Sequence, residues 1–224
     1  MTNHFICFEG IDGSGKTTIA HEFVNYGIAH GHKMFFLDKK NTDAIEDNFA
    51  KHQLENIKRA LWDYPIDGNL SVMGDYHWLT LLASWYAALY EACVKPKLQE
   101  GYTVVSDGWV YKYMARFSMK KSFPSNLVDS IFNMVGQPDS IFLIDISPQV
   151  AFSRKFEVKP SESGQFDGES ESSLEQGFIN YQMKVINKLE AVLCNRFVRL
   201  NNNVDHEIYT LVEDSFSYYL NDKI

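Results

Sequence analysis

The chain has 224 residues, with 21 basic against 29 acidic side chains, a formal net charge of −8, and 45% hydrophobic residues. That composition suits one ordinary globular domain with a substantial core, and the negative balance excludes broad contact with DNA or RNA phosphates, which relies on dense Lys and Arg. The most apolar segment, Trp78 to Tyr90, is uncharged but falls short of the ~20 residues that cross a bilayer, so it reads as a buried core helix.

In chain order, short β-branched or aromatic runs alternate with helical patterns, the signature of parallel βαβ units. Strands are predicted over Phe5–Glu9, Lys33–Asp38, Thr103–Asp107, Ser140–Ile146 and Arg196–Leu200. Between them fall helices from Lys16 to about Ala29, Asp43 to about Trp62, and Asp75 to about Gln99, then near Trp109–Lys120 and Pro124–Met134. Leu174, Phe178, Tyr181, Val185, Leu189 and Val192 recur every three or four residues, which marks a core-facing helix, and a last helix is expected near Val204–Leu220. Ser161 to Ser173 carries five Ser, two Gly, three Glu, one Asp and no Lys or Arg, so it reads as a mobile loop, either a lid or a disordered insertion. The chain enters its first strand without a basic and apolar leader, and Cys7, Cys93 and Cys194 lie far apart. A reducing, cytoplasmic setting with all three thiols buried is expected.

The most informative run is Gly10, Ile11, Asp12, Gly13, Ser14, Gly15, Lys16, Thr17 and Thr18, which fits the phosphate-loop pattern G-x-x-x-x-G-K-[ST] between a strand and a helix. Its glycines let successive backbone N–H groups converge on phosphate oxygens at a helix N-terminus, where the macrodipole favours negative charge. Lys16 supplies a mobile cation for the β and γ phosphates and Thr17 a hydroxyl for Mg²⁺, so ATP and Mg²⁺ are the expected cofactors. Asp107 and Asp145 both end apolar strands, where a metal-side carboxylate stands; Asp107 is favoured, and it also suits a helix N-cap.

Phe8-Glu9-Gly10-Ile11-Asp12-Gly13-Ser14-Gly15-Lys16-Thr17-Thr18 closely resembles the phosphate loop of the thymidylate kinase family, Glu9 and Asp12 included. Lys95-Pro96-Lys97-Leu98 with Gly101 and the strand ending at Asp107, then Gln137-Pro138-Asp139, Leu143-Ile144-Asp145, Ser147-Pro148 and Ala151 to Arg154, are similar to further segments of that family. The resemblance spans nearly the whole chain. It implies an α/β P-loop kinase fold, with a five-stranded parallel sheet flanked by helices and a mobile lid at about 155–175, in one domain over 1–224. It also implies a nucleotide acceptor, Asp12 facing the acceptor sugar, and a homodimer packed through the long Asp75 helix.

The acceptor side departs from the family. Asp38-Lys39-Lys40-Asn41 stands where relatives carry Arg-Glu-Pro, and Asp107-Gly108-Trp109 where they carry Asp-Arg and an aromatic. Tyr86 and Leu82 fall where relatives place an Arg and a stacking Phe beside the base. An acceptor phosphate in a closed site still needs cations around it. Lys39 and Lys40, at the carboxyl end of the second strand, or Lys112 and Arg116, four apart on a helix, are the candidates. Arg154, at the leading edge of the lid, is a candidate for the donor γ-phosphate, alongside Lys155 and Lys159. Trp109 and Tyr86 are candidates to stack on the base, with core packing as their other reading.

Three functions follow: phosphoryl transfer to a nucleoside monophosphate, transfer to a neutral nucleoside or other small alcohol with Asp38 as general base, or nucleotide binding without catalysis. The partners expected are a small nucleotide acceptor and no membrane.

Overall fold

The structure, a computed structural model, describes residues 4–63, 68, 70–124, 126–164, 173–203 and 208–222. Five strands form one parallel sheet: β1 (Phe5–Glu9), β2 (Met34–Leu37), β3 (Thr103–Ser106), β4 (Ser140–Asp145) and β5 (Val198–Asn201), in the order β2-β3-β1-β4-β5. β1 pairs with β3 on one side, Cys7 opposite Ser106, and with β4 on the other, Glu9 opposite Leu143. The chain leaves β1 for one half of the sheet and later returns to the other half, so the carboxyl end of β1 is the crevice where α/β sheets place ligands.

Both faces of the sheet are covered, and β1 shows why its sequence is apolar up to Glu9. Phe5 and Cys7 project into one core with Leu79, Trp85, Trp109 and Phe132, while Ile6 and Phe8 project into another with Phe23, Phe142 and Tyr219. The second core is closed by α1 (Lys16–Ala29) and α9 (Ile208–Asp222), which pack on each other. The first lies under α2 (Asn48–Trp62), α3 (Gly74–Leu89), α4 (Lys95–Gln99), α5 (Tyr111–Ser118), α6 (Leu127–Phe132) and, in part, α8 (Leu174–Leu193). The short α7 (Pro148–Ser153) joins β4 to the chain leading to α8, with Ser147 Oγ accepting the Val150 N–H as its cap.

The first strand, α1 and the start of α8 match their sequence expectations, whereas other bounds move. The helix expected from Asp43 starts at Asn48, because Asp47 caps it by accepting the Ala50 N–H. The helix expected from Asp75 to Gln99 is a continuous helical path, interrupted by a π-helical turn at Tyr90–Val94. Trp78 to Tyr90 is not buried all round: Thr80 and Ser84 are exposed, since α3 lies at the surface of its layer. The expectation of three buried thiols holds for Cys7 and Cys93 and fails for Cys194, which is exposed at the left-handed C-cap of α8. Most of the predicted mobile loop, residues 165–172, lies outside the described residues. Among the described residues, no helix is long and apolar enough to cross a membrane.

Candidate active site

The turn from β1 into α1 wraps residues 10 to 15 around an open cradle. Gly13 has φ +82, and a side chain there would bring a Cβ within 2.7 Å of the Ala151 carbonyl, so only glycine fits between the loop and α7. Gly15, at φ +85, is the N-cap of α1 and adds no side-chain capping bond of its own. The first amides of α1 therefore point at the space in front of the loop, an anion site by geometry and dipole. Two buried side chains from distant elements hold the loop. Asn202, just past β5, donates from Nδ2 to the Ser14 carbonyl at 2.9 Å, and Gln182 of α8 accepts the Asp12 N–H at Oε1 at 3.2 Å.

Charged groups converge in front of this cradle. Thr17 Oγ1 donates to Asp107 Oδ2 at 2.5 Å, and Lys39 Nζ donates to Asp107 Oδ1 at 2.5 Å and to its carbonyl at 2.8 Å. Lys112 Nζ donates to Asp12 Oδ1 at 2.7 Å, both side chains less than one-fifth exposed. Lys16 Nζ donates to the Ile11 carbonyl at 3.0 Å, folded against its own loop. Burial and the Lys112 ammonium pull the Lys16 pKa down to about 8, against the opposing pull of Asp12. Burial would raise the Asp12 carboxyl, yet Lys112 and Lys16 outweigh it and hold it well below the ordinary carboxylate range. Burial works against the charge of Lys112 as well, and Asp12 prevails, so its pKa is raised. Asp107 is likewise kept low, Lys39 overcoming desolvation.

Glu9 closes the floor of the cluster. It is fully buried, its Oε1 accepts the Trp109 N–H at 2.7 Å, and burial raises its pKa. Its Oε2 has no hydrogen-bond partner among the described residues. A Cβ at Gly108 would lie 3.3 Å from Lys39 Nζ and 3.8 Å from Glu9 Oε2. The space that a side chain at 108 would enter is thus bordered by an ammonium and a carboxylate, and Lys39 reaches into it from β2.

The remaining predicted residues divide clearly. Asp107, not Asp145, meets the loop; Asp145 pairs with Arg199 at 3.3 Å. Asp38 is exposed, and its carboxylate accepts the Lys40 N–H at 3.0 Å rather than a bond from the cluster. Lys40 lies over the Trp62 ring at 4.8 Å. Tyr86 and Trp109, expected beside a base, are core residues at 0% and 1% exposure, their rings packed edge to face at 4.8 Å. Trp109 is fixed there by its indole N–H, which donates to the Gly136 carbonyl at 2.9 Å. Arg116 of α5 donates to Tyr181 Oη at 2.8 Å and to the Ser161 carbonyl at 2.7 Å, and its charge also acts on the Lys112–Asp12 pair. Arg154 is exposed at the end of α7, and Lys155 is the cation beside the loop, its Cδ 3.3 Å from where a Cβ on Gly13 would be. Lys155 is engaged by Glu162 at 3.0 Å.

Two residues missing from the sequence reading, Gln182 and Asn202, belong to the site, and Glu9, read there only as part of the phosphate-loop resemblance, is its buried anchor. Gln182 also donates from Nε2 to the Glu162 carbonyl at 2.7 Å and to Asp12 Oδ2 at 3.4 Å, so one amide joins the phosphate loop to the described part of the expected lid. The polar gap in an otherwise apolar stripe, Phe178, Tyr181, Gln182, Val185, was the available signal. Among the described residues no group of three or more His, Cys, Asp or Glu is placed to hold a metal ion. Thr17 and Asp107 fit Mg²⁺ all the same, because that ion commonly takes one or two protein oxygens and completes its shell with phosphates and water.

The sequence profile of the family described as "Thymidylate kinase" matches residues 8–192. A protein of Saccharolobus solfataricus named "Probable thymidylate kinase 2" is 24% identical over 209 residues, covering 91% of this chain and 90% of the relative. "Thymidylate kinase" of Thermosipho melanesiensis is 30% identical over 175 residues, 77% of this chain and 79% of the relative. The protein of the same name from Mesomycoplasma hyopneumoniae is 26% identical over 223 residues, 96% of this chain and 97% of the relative.

Proposed function

The chain belongs to the thymidylate kinase family and is an ATP-dependent nucleotide kinase, and from that premise we propose that it moves the γ-phosphate of ATP, with Mg²⁺, onto a nucleoside monophosphate, with dTMP or a related pyrimidine nucleotide as acceptor. The observation that carries this reading is the gathering of the Lys16, Lys39 and Lys112 ammoniums around Asp12 and Asp107 where β1 and β3 end. A monophosphate acceptor brings its own nucleophilic oxygen and two negative charges, so it needs cations and no general base.

Each part then has a task. The amides of residues 10–18 hold the donor phosphates, and Lys16 swings from the Ile11 carbonyl to the β and γ phosphates. Thr17 and Asp107 hold Mg²⁺, which when bound neutralises charge on the donor phosphates. Lys112 uses one of its three N–H donors on Asp12, which leaves donors for the acceptor phosphate beside it. Lys39, at the position bordering Gly108, supplies the second cation in place of the arginine that relatives carry. Transfer is in line, helped by positioning and by positive charge around a loose transition state. An ammonium orients a phosphate less tightly than a guanidinium fork does, so a weaker acceptor KM than in arginine-bearing relatives is expected.

The reading with a neutral alcohol as acceptor needs a carboxylate base, and Asp38, its candidate, caps Lys40 instead. ADP release with ATP and Mg²⁺ over a panel of monophosphates and matching nucleosides tests the assignment. A pyrimidine monophosphate should respond best, with Lys16→Ala at least ~100-fold slower, the size of effect typical of removing a phosphate-clamping charge. Equal turnover of nucleosides would replace this reading with the neutral-acceptor one. A cytoplasmic location and a homodimer through the exposed face of α3 belong to the same proposal, and sedimentation reads the second.

A further inference from the structure

Three carboxylates meet where β1 and β3 end, and all but one of their oxygens are engaged. Asp12 takes Lys112 on Oδ1 and Gln182 on Oδ2, and Asp107 takes Lys39 on Oδ1 and Thr17 on Oδ2. Glu9 Oε1 accepts the Trp109 N–H at 2.7 Å and lies 3.7 Å from Cys7 Sγ. Glu9 Oε2 is left without a hydrogen bond among the described residues, on a side chain of 0% exposure. Buried carboxylate oxygens are rarely left so, because burial without a donor forfeits the bonds that water would have made.

That oxygen borders a notch it shares with Lys39. Among the described residues, and apart from its chain neighbours, a Cβ built on Gly108 would meet only Lys39 Nζ, at 3.3 Å, and Glu9 Oε2, at 3.8 Å, within 4 Å. Gly108 stands at φ +120, a conformation that side-chain-bearing residues rarely adopt, so the backbone itself keeps the notch open. Lys39 reaches it from just past β2 and gives two of its three N–H donors to Asp107, one to the carboxylate and one to the carbonyl at 2.8 Å.

We propose that Glu9 is a positioning residue for Lys39: when Mg²⁺ and ATP claim the Asp107 carboxylate, the ammonium passes from Asp107 Oδ1 to Glu9 Oε2 and stays beside Gly108, where it holds the acceptor phosphate. The role depends on Lys39 being the cation for that phosphate. An ammonium displaced from one carboxylate finds another or turns into water, where its flexible four-carbon stem no longer aims it. Asp12 has both oxygens taken, and Asp38 is exposed and accepts the Lys40 N–H. Glu9 is fixed at the end of β1 by the Trp109 N–H, and the bond from Lys39 to the Asp107 carbonyl serves as the pivot of a short move. Burial raises the Glu9 pKa, with the Trp109 N–H and Lys39 opposing it, so an ammonium arriving on Oε2 relieves a charge short of partners. Oε2 and the Asp107 carbonyl then take two donors of Lys39, and the third is left for a phosphate oxygen.

A crystal structure of the whole chain with Mg²⁺ and a non-hydrolysable ATP analogue tests the exchange directly. Lys39 Nζ should lie within about 3.2 Å of Glu9 Oε2 and beyond hydrogen-bond reach of Asp107 Oδ1. An ammonium still on Asp107 Oδ1, or turned into solvent, would overturn the proposal. Wild type alone decides this arm, so it holds even where a variant fails to fold. Kinetics read the consequence. Glu9→Gln keeps the oxygen that accepts the Trp109 N–H and removes the charge, so acceptor KM should rise about tenfold while the KM for ATP stays within about twofold. On a Lys39→Met background the same substitution should change acceptor KM by less than about twofold, because the ammonium it served is gone. An equal rise on both backgrounds means that Glu9 only supports the fold, and it overturns the role. Nucleosides turned over as fast as monophosphates would undo the acceptor reading with the Lys39–Glu9 bond still in place; Lys39 fixed on Asp107 would undo the exchange with the acceptor reading intact.

Discussion

Lys112 and Asp12 make the tightest test of how single residues build this site. The pair is mostly buried, so removing one partner strands a charge that the other was holding. Lys112→Met is expected to cost about 3 kcal/mol in denaturant unfolding, and Lys112→Met/Asp12→Asn distinctly less, because the second change removes the stranded carboxylate. Acceptor KM should rise in both. The sign of the Asp12 shift sets the pH behaviour of the pair: a folded pKa below the unfolded value gives stability above about pH 4 that is lost only as pH falls through the lower, folded value. Lys16 titrates oppositely in its functional consequence. With its pKa drawn down to about 8 in the free protein, ATP restores its charge, so binding takes up a proton and weakens as pH rises past that value. Calorimetry in two buffers of different ionisation enthalpy, at pH 7 and pH 9, reads this as proton uptake that is larger at pH 9.

Secondary elements show where sequence is informative and where it is silent. The loop from Gly10 to Thr18 and the helix Lys16–Ala29 were legible because their determinants are local: glycines at positive φ, a lysine and a hydroxyl, an apolar strand before. The π-helical turn at Tyr90–Val94 was not read, although Pro96 just beyond it, with no N–H to give the helical ladder, was the local signal for a break. The Tyr90 ring at the start of that turn lies over Gly136, where an added Cβ would meet ring carbons at 2.2 Å. Gly136→Ala should therefore destabilise by about 1–3 kcal/mol, and Gly136→Ala/Tyr90→Ala should show less than the sum of its parts, as equilibrium unfolding can measure. Gln182 and Asn202 were hidden for a tertiary reason. Each acts on a loop some 170 or more residues away in the chain, and only the folded sheet brings them together. Tyr86 and Trp109 failed the other way: aromatic residues near a cleft are equally good core material, and their burial decided it.

At the scale of the whole molecule, the sheet order follows from the alternation of strands and helices, but the crossover that places β1 between β3 and β4 is what makes the site. It lays the end of β3 beside the end of β1, so that Asp107 reaches Thr17 although 90 residues separate them. The salt bridge between Lys39 and Asp107 then governs the order in which partners arrive. A carboxylate already neutralised by an ammonium offers little to a lone divalent ion, whereas a triphosphate can draw the lysine off while delivering its own oxygens. Magnesium should thus enter as an escort of the nucleotide: alone at millimolar concentration it leaves the melting temperature unchanged, and together with ATP it raises it above the value for ATP by itself. Lys39→Ala would unlock the door, letting the bare cation protect the fold.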